Sequence, residues 1–109
     1  MAQTYKVLGQ INPSPNTITN VYVTGASASA IVSAITITNQ SDSNTSYSLI
    51  VRSINETFDN KHFIIRAGIS PAREQITITS AVTMNSDVIL AANTHSSNLS
   101  IHAYGVEIV

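Results

Sequence analysis

The sequence contains no cysteine. A disulfide framework, a thiolate zinc site and a cysteine nucleophile are thereby excluded. Charge is almost as scarce. Five Lys+Arg and six Asp+Glu among 109 residues leave 10% of positions charged, with a formal net charge of −1, against the roughly 25% usual in soluble domains. Five scattered cations cannot make the basic footprint of a nucleic-acid-binding or membrane-surface module. So few ionisable groups also offer little to tune into catalytic acids and bases, and no enzyme activity is expected. Neither a Gly-x-Ser-x-Gly elbow nor a glycine-rich phosphate loop occurs. Long apolar runs are missing as well. The longest candidate, residues 26–37, is broken by Ser27, Ser29, Ser33 and Thr36, short of the roughly 18 residues that span a bilayer. The opening Met-Ala-Gln-Thr-Tyr-Lys has no secretory pattern, so synthesis in a cytoplasm is expected.

Uncharged polar groups fill the deficit: fifteen Ser, twelve Thr and ten Asn. Disorder is not the explanation, because hydrophobic residues reach 43% and fifteen of them are Ile. Val, Ile and Thr total 36, whereas Leu occurs four times and Glu three. Branching at Cβ restricts χ1 and favours a pleated backbone, so this balance predicts strands. The alternation agrees. Ile31, Ile35 and Ile37 are expected on one face and Ala34, Thr36 and Thr38 on the other. Tyr47, Leu49 and Val51 alternate with Ser46, Ser48, Ile50 and Arg52; Phe63 and Ile65 alternate with His62, Ile64 and Arg66. Each run has the period of two of a sheet with one buried face.

Clusters rich in Asn, Asp, Pro, Gly and Ser separate these runs, at residues 12–16, 39–44, 55–60, 68–71, 85–87 and 93–98. Such residues accept φ > 0, bond their own backbone or fix φ, so they make turns. Eight strands are predicted, near residues 4–10, 17–24, 30–38, 46–53, 62–67, 74–80, 87–92 and 98–108. Short strands at this spacing predict an all-β fold, an antiparallel β-sandwich of jelly-roll or immunoglobulin-like type. No segment reads as a helix beyond a short turn near residues 54–60. Residues 1–109 read as one domain, with 1–12 an N-terminal strand or arm making contacts between subunits. Pro13 and Pro15 mark a corner where the first strand crosses between sheets, and Gly105 reads as a bulge.

Candidate chemistry is sparse. His62, His95 and His102 would need to converge with a carboxylate such as Asp59 or Asp87 to hold a metal, and no His-x-His or His-x3-His pair brings them together. The reading is therefore of no catalytic, metal or cofactor site. Tyr5, Tyr22, Tyr47 and Tyr104 with Asn-rich loops keep open a lectin-like, carbohydrate-binding reading, for which an exposed Tyr22 or Tyr104 would supply stacking.

The runs 30–38 and 75–83 carry no charge and are rich in β-branched residues. Left exposed on a monomer they would pair with other chains. They are therefore expected to be covered, within the sandwich or by neighbouring subunits. The opening Met-Ala-Gln-Thr-Tyr-Lys-Val-Leu-Gly-Gln-Ile-Asn-Pro-Ser, the central Ile-Thr-Ile-Thr-Asn-Gln-Ser with Tyr-Ser-Leu-Ile-Val-Arg, then Lys-His-Phe-Ile and the closing Ala-Tyr-Gly-Val-Glu-Ile resemble small all-β virion-associated proteins of tailed bacteriophages, several from phages of cyanobacteria and other marine bacteria. The chain departs from that family at Ile54-Asn55-Glu56-Thr57-Phe58, where members often carry Gly and Ala.

The resemblance implies a structural protein of a phage virion: a capsid cement or decoration protein, with a neck, tail or fibre location as the alternative. It implies as partners other copies of the chain, a trimer first among them, and the major capsid or tail proteins. It implies no nucleic acid, membrane or cofactor. Thr4, Tyr5, Lys6, Phe58, Val106, Ile108 and Val109 are the expected interface residues.

Overall fold

The computed structural model describes residues 3–79 and 81–109. Nine strands occur among them: β1 (Gln3–Ile11), β2 (Thr19–Val23), β3 (Ser29–Asn39), β4 (Thr45–Ser53), β5 (Phe63–Ser70), β6 (Gln75–Ile78), β7 (Val82–Met84), β8 (Val88–Thr94) and β9 (Leu99–Ile108). The only helical segment among them is a 3₁₀ turn, Asn60–His62, directly before β5. It lies at the end of the stretch where a short turn is predicted.

The strands form two antiparallel sheets packed as a sandwich. The front sheet has the order β1-β9-β3-β6, with β7 also on β3, and the back sheet the order β2-β8-β4-β5. The pairings are nested: β1 with β9, β2 with β8, β3 with β6 and β7, and β4 with β5. The chain thus runs as one long hairpin, turned back between β4 and β5 and wound across both sheets. That order makes the sandwich a jelly roll. Residues 12–18 carry the chain from front to back sheet, with Pro13 buried at the corner. A proline there sacrifices no ladder hydrogen bond.

Leu8, Val32, Ile35, Ile37, Tyr47, Leu49, Met84, Leu90, Leu99 and Ile101 fill the space between the sheets. The run 30–38 lies inside the front sheet, paired with β9 on one side and β6 and β7 on the other. The run 75–83 forms the short, interrupted edge opposite β1; Ser80 falls outside the described residues.

Two predicted faces are corrected by bulges. Val32 pairs with Gly105 and Ala34 with Tyr104, so Ser33 is an extra residue in β3. The period of two resets there, and Ile31 points outward while Ile35 and Ile37 point inward. In β5, Ile65 faces Leu49 and Phe63 faces Ile50, which leaves Ile64 as the extra residue and puts Phe63 and Ile65 on opposite faces. Gly105 itself is not bulged. The extra residues are Ser33 and, in β1, Leu8, on the strands either side of it. A Cβ on Gly105 would lie 2.0 Å from the Ile31 carbonyl oxygen, so glycine is required there for close strand approach, not for a bulge of its own.

Candidate assembly interface

The outer face of the front sheet carries a row of side chains that nothing in the described chain covers. Cross-strand partners share a face. Tyr5 pairs with Val106, which pairs with Ile31; Val7 pairs with Tyr104, which pairs with Ala34; Gln3 pairs with Ile108. These adjacent rows bring Tyr5, Val7, Ile31, Tyr104, Val106 and Ile108 onto one surface. Tyr5 is 84% exposed, Val7 47% and Ile31 40%. Further along the same face the residues become polar: Gln10, His102, Thr36 and Thr77 form one row, and Ser100, Thr38 and Gln75 the next.

Behind the patch, on the face of the front sheet turned toward the back sheet, β1 is tied down by a polar clamp. The Lys6 ammonium donates to Glu107 Oε1 at 3.0 Å, and the Tyr22 hydroxyl, from the back sheet, donates to Glu107 Oε2 at 2.5 Å. The hydrogen bond from Tyr22, then that from Lys6, hold the Glu107 carboxyl below the usual carboxylate range. Burial, then the bond to Glu107 and its charge, push the Tyr22 phenol up to about 12. The clamp joins the first strand, the last strand and the opposite sheet, and it occupies the one charged side chain of β1.

The outer face of the back sheet is arranged differently. Ile50, Ile89 and Ala91 point away from the main core, yet Ile50 is only 1% exposed. Phe63 packs against this second cluster. Phe58 meets the Phe63 ring edge-on at 5.3 Å between centroids, and Arg66 lies over the same ring at 5.2 Å. The connection from β4 to β5 forms a roof over the cluster. Asp59 caps the 3₁₀ turn: its carboxylate accepts from the Asn60 N–H, and the Asp59 N–H donates to Nδ1 of the buried His62. Arg52 donates to the Glu56 carbonyl at 2.8 Å. Lys61 pairs with Glu56 at 2.9 Å and holds that carboxyl below its ordinary range.

Of the predicted interface residues, Thr4, Tyr5, Lys6, Val106 and Ile108 come together along β1 and β9. Tyr5, Val106 and Ile108 belong to the patch, and Lys6 to the clamp. Val109 is exposed just beyond β9. Phe58 is not with them; it lies in the roof of the back sheet and packs on Phe63 and His62. The patch also includes three residues that sequence reasoning missed. Val7 shares parity with Tyr5 in β1, a legible signal; the bulge at Ser33 hides Ile31, and Tyr104 carries only the signal of an aromatic strand residue.

The histidines lie apart in the chain's elements: His62 in the roof, His95 in the loop after β8, and His102 on β9 beside Tyr104. Among the described residues no group of three or more His, Cys, Asp or Glu side chains is placed to hold a metal ion. Of the four tyrosines considered for stacking on sugars, Tyr5 is exposed and Tyr47 is buried. Tyr22 is half-buried and bonded to Glu107, and the half-buried Tyr104 shares a 3.0 Å hydrogen bond with His102 Nδ1.

No family model matches the sequence, and no curated protein does. Among solved structures the chain is similar to the N-terminal CBM22-1–GH10 modules of Clostridium thermocellum endo-1,4-beta-D-xylanase 10B, crystallised with xylohexaose. The TM-score is 0.47 and the identity 11%, over 98% of this chain and 24% of that chain. This chain therefore spans about a quarter of the length of the solved chain it matches.

Proposed function

We propose that this protein is a non-catalytic structural subunit that works by being covered, and that the assembly it joins is the particle of a tailed bacteriophage. The observation that carries the first half is the bare apolar patch on the front sheet, with Tyr5 at 84% exposure on an edge strand. Burial of apolar surface drives association, and an interface core depleted of charge and rich in aromatic and aliphatic groups is what Tyr5, Val7, Ile31, Val106 and Ile108 provide. The rows of Gln, His, Thr and Ser beyond the patch make a polar rim. Neutral hydrogen bonds from such a rim are not screened by salt as ion pairs are.

The second half rests on the resemblance of the sequence to small virion proteins. The reading is of a cement or decoration protein on the head, made in the bacterial host cytoplasm and resident in the virion. Mass spectrometry of particles purified from a lysate in which the chain is produced tests it. The expected result is a fixed copy number per particle, in step with the major capsid protein; a copy number of a few per particle points to neck, tail or fibre instead. Absence of the chain from the particles removes the virion reading.

A further inference from the structure

The sandwich has four edges, and three are blunted. On the front sheet the far edge consists of β6 and β7, four and three residues long and separated by a break. On the back sheet β2 is five residues long with a register shift between Asn20 and Tyr22. The fourth strand of that sheet, β5, has two register shifts, carries Arg66, and holds Ala67 in the left-handed region with φ 55°. Short length, bulges and charge are the devices by which edge strands avoid pairing with other chains. The fourth edge is neither short nor bulged along its first half. Residues 3–7 of β1 pair regularly with β9, and the shift at Leu8 comes only afterwards. The one charge, Lys6, is occupied by Glu107. The apolar patch runs up to this edge through Tyr5 and Val7.

We infer that two copies of the chain pair edge to edge along residues 3–7 of β1, antiparallel about a two-fold axis through Tyr5, joining their front sheets into one. Antiparallel pairing about a two-fold axis makes the contact isologous and closed, so it ends at two copies and does not propagate. With the axis at Tyr5, the two Tyr5 rings meet, Val7 faces Gln3 of the second copy, and Lys6 faces Thr4 of the second copy. Moving the axis by one residue to Lys6 would set two ammonium groups opposite each other, which is unfavourable. Strand addition supplies main-chain hydrogen bonds, and the facing Tyr5 rings with the Val7–Gln3 pairs supply side-chain contact on the same face.

The inference deepens the reading of an assembly subunit by naming the first partner and the strand that meets it. The soluble unit is then a dimer, where the resemblance implies a trimer.

The test uses the full chain in two arms. Sedimentation of the wild-type chain across a concentration series is expected to show a dimer, and Tyr5→Lys is expected to weaken association by about tenfold or more. A monomer or a trimer at every concentration overturns the inference. In the second arm, Tyr5→Cys and Val7→Cys are oxidised separately; with no native cysteine, any disulfide comes from the introduced thiol. Directly paired residues lie about 4.5–5.5 Å apart between Cα atoms, within disulfide reach, so Tyr5→Cys is expected to cross-link in high yield and Val7→Cys poorly. Equal yields, or a higher yield at position 7, overturn the stated register. The outcome is separable from that of the virion reading. A cross-linking dimer that is absent from particles upholds this inference while the virion reading falls, and a monomer found in particles does the reverse.

Discussion

The outer faces of the two sheets begin alike and end differently. Each presents branched aliphatic side chains where a soluble sandwich would carry charge: Ile50 and Ile89 on the back sheet, Ile31, Val106 and Ile108 on the front. On the back sheet the connection from β4 to β5 folds over them, with Phe63 packed against the cluster and Phe58 against Phe63. On the front sheet no described segment does so. The same chemistry is therefore a second core on one side and an open surface on the other. Exposure of an isolated Leu or Ile is ordinary; a contiguous patch opposite a roofed one is not.

The largest test of that contrast is Ile50→Ala. It removes a side chain buried under the roof and is expected to destabilise the protein by about 2–4 kcal/mol in urea unfolding. A loss under about 0.5 kcal/mol would mean that the roof is loose and the two faces are alike. Next comes Phe58→Ala, which thins the roof while leaving Ile50 in place. An expected loss of about 1–2 kcal/mol should be accompanied by faster hydrogen exchange in residues 54–62.

Tyr22→Phe cuts the clamp behind the bare face, with an expected cost of about 1–2 kcal/mol because the acceptor is a charged carboxylate. The clamp also fixes a pH dependence. Glu107 has a lowered folded pKa, so its contribution is present above the ordinary carboxylate range and is lost as pH falls through the folded value. Tyr22 has a raised folded pKa, so stability is retained below about 10 and falls as pH rises from 10 to about 12. Denaturation midpoints across pH should decline on both sides for the wild-type chain, and more shallowly on the alkaline side for Tyr22→Phe.

The smallest effect on stability belongs to the front face. Ile31→Thr is expected to change unfolding free energy by no more than about 0.5 kcal/mol, while binding of a hydrophobic dye to the folded protein falls. A core-sized destabilisation would show that Ile31 already has a covering partner within the chain.

Much of this was legible along the chain. Alternating β-branched residues between Asn- and Pro-rich turns predict a sandwich of short antiparallel strands, and the crossing at Pro13 follows from the missing N–H. The grouping of Tyr5 with Val106 and Ile108, near the two ends of the chain, is among the expectations that the resemblance supplies, while their shared face comes from the pairing of β1 with β9. Phe58 does not belong with them, because its environment depends on where the β4–β5 connection folds. Ile31 and Phe63 were misassigned for one reason: an extra residue at Ser33 and at Ile64 resets the period of two, and nothing local distinguishes a bulged serine or isoleucine from a regular one. The ninth strand, Val82–Met84, is too short to show a period.

Composition and alternation by themselves determined that the chain is all-β, poor in ionisable groups and unguarded by charge, because χ1 restriction and side-chain period act within a few residues of the backbone. Only the tertiary structure decided which uncharged surfaces are covered. The nested pairing that joins β1 to β9, the bulges that turn Ile31 outward and Phe63 away from Ile65, and the loop that roofs one sheet all depend on contacts between residues distant in sequence. Burial is a property of those contacts and not of the residues that make them.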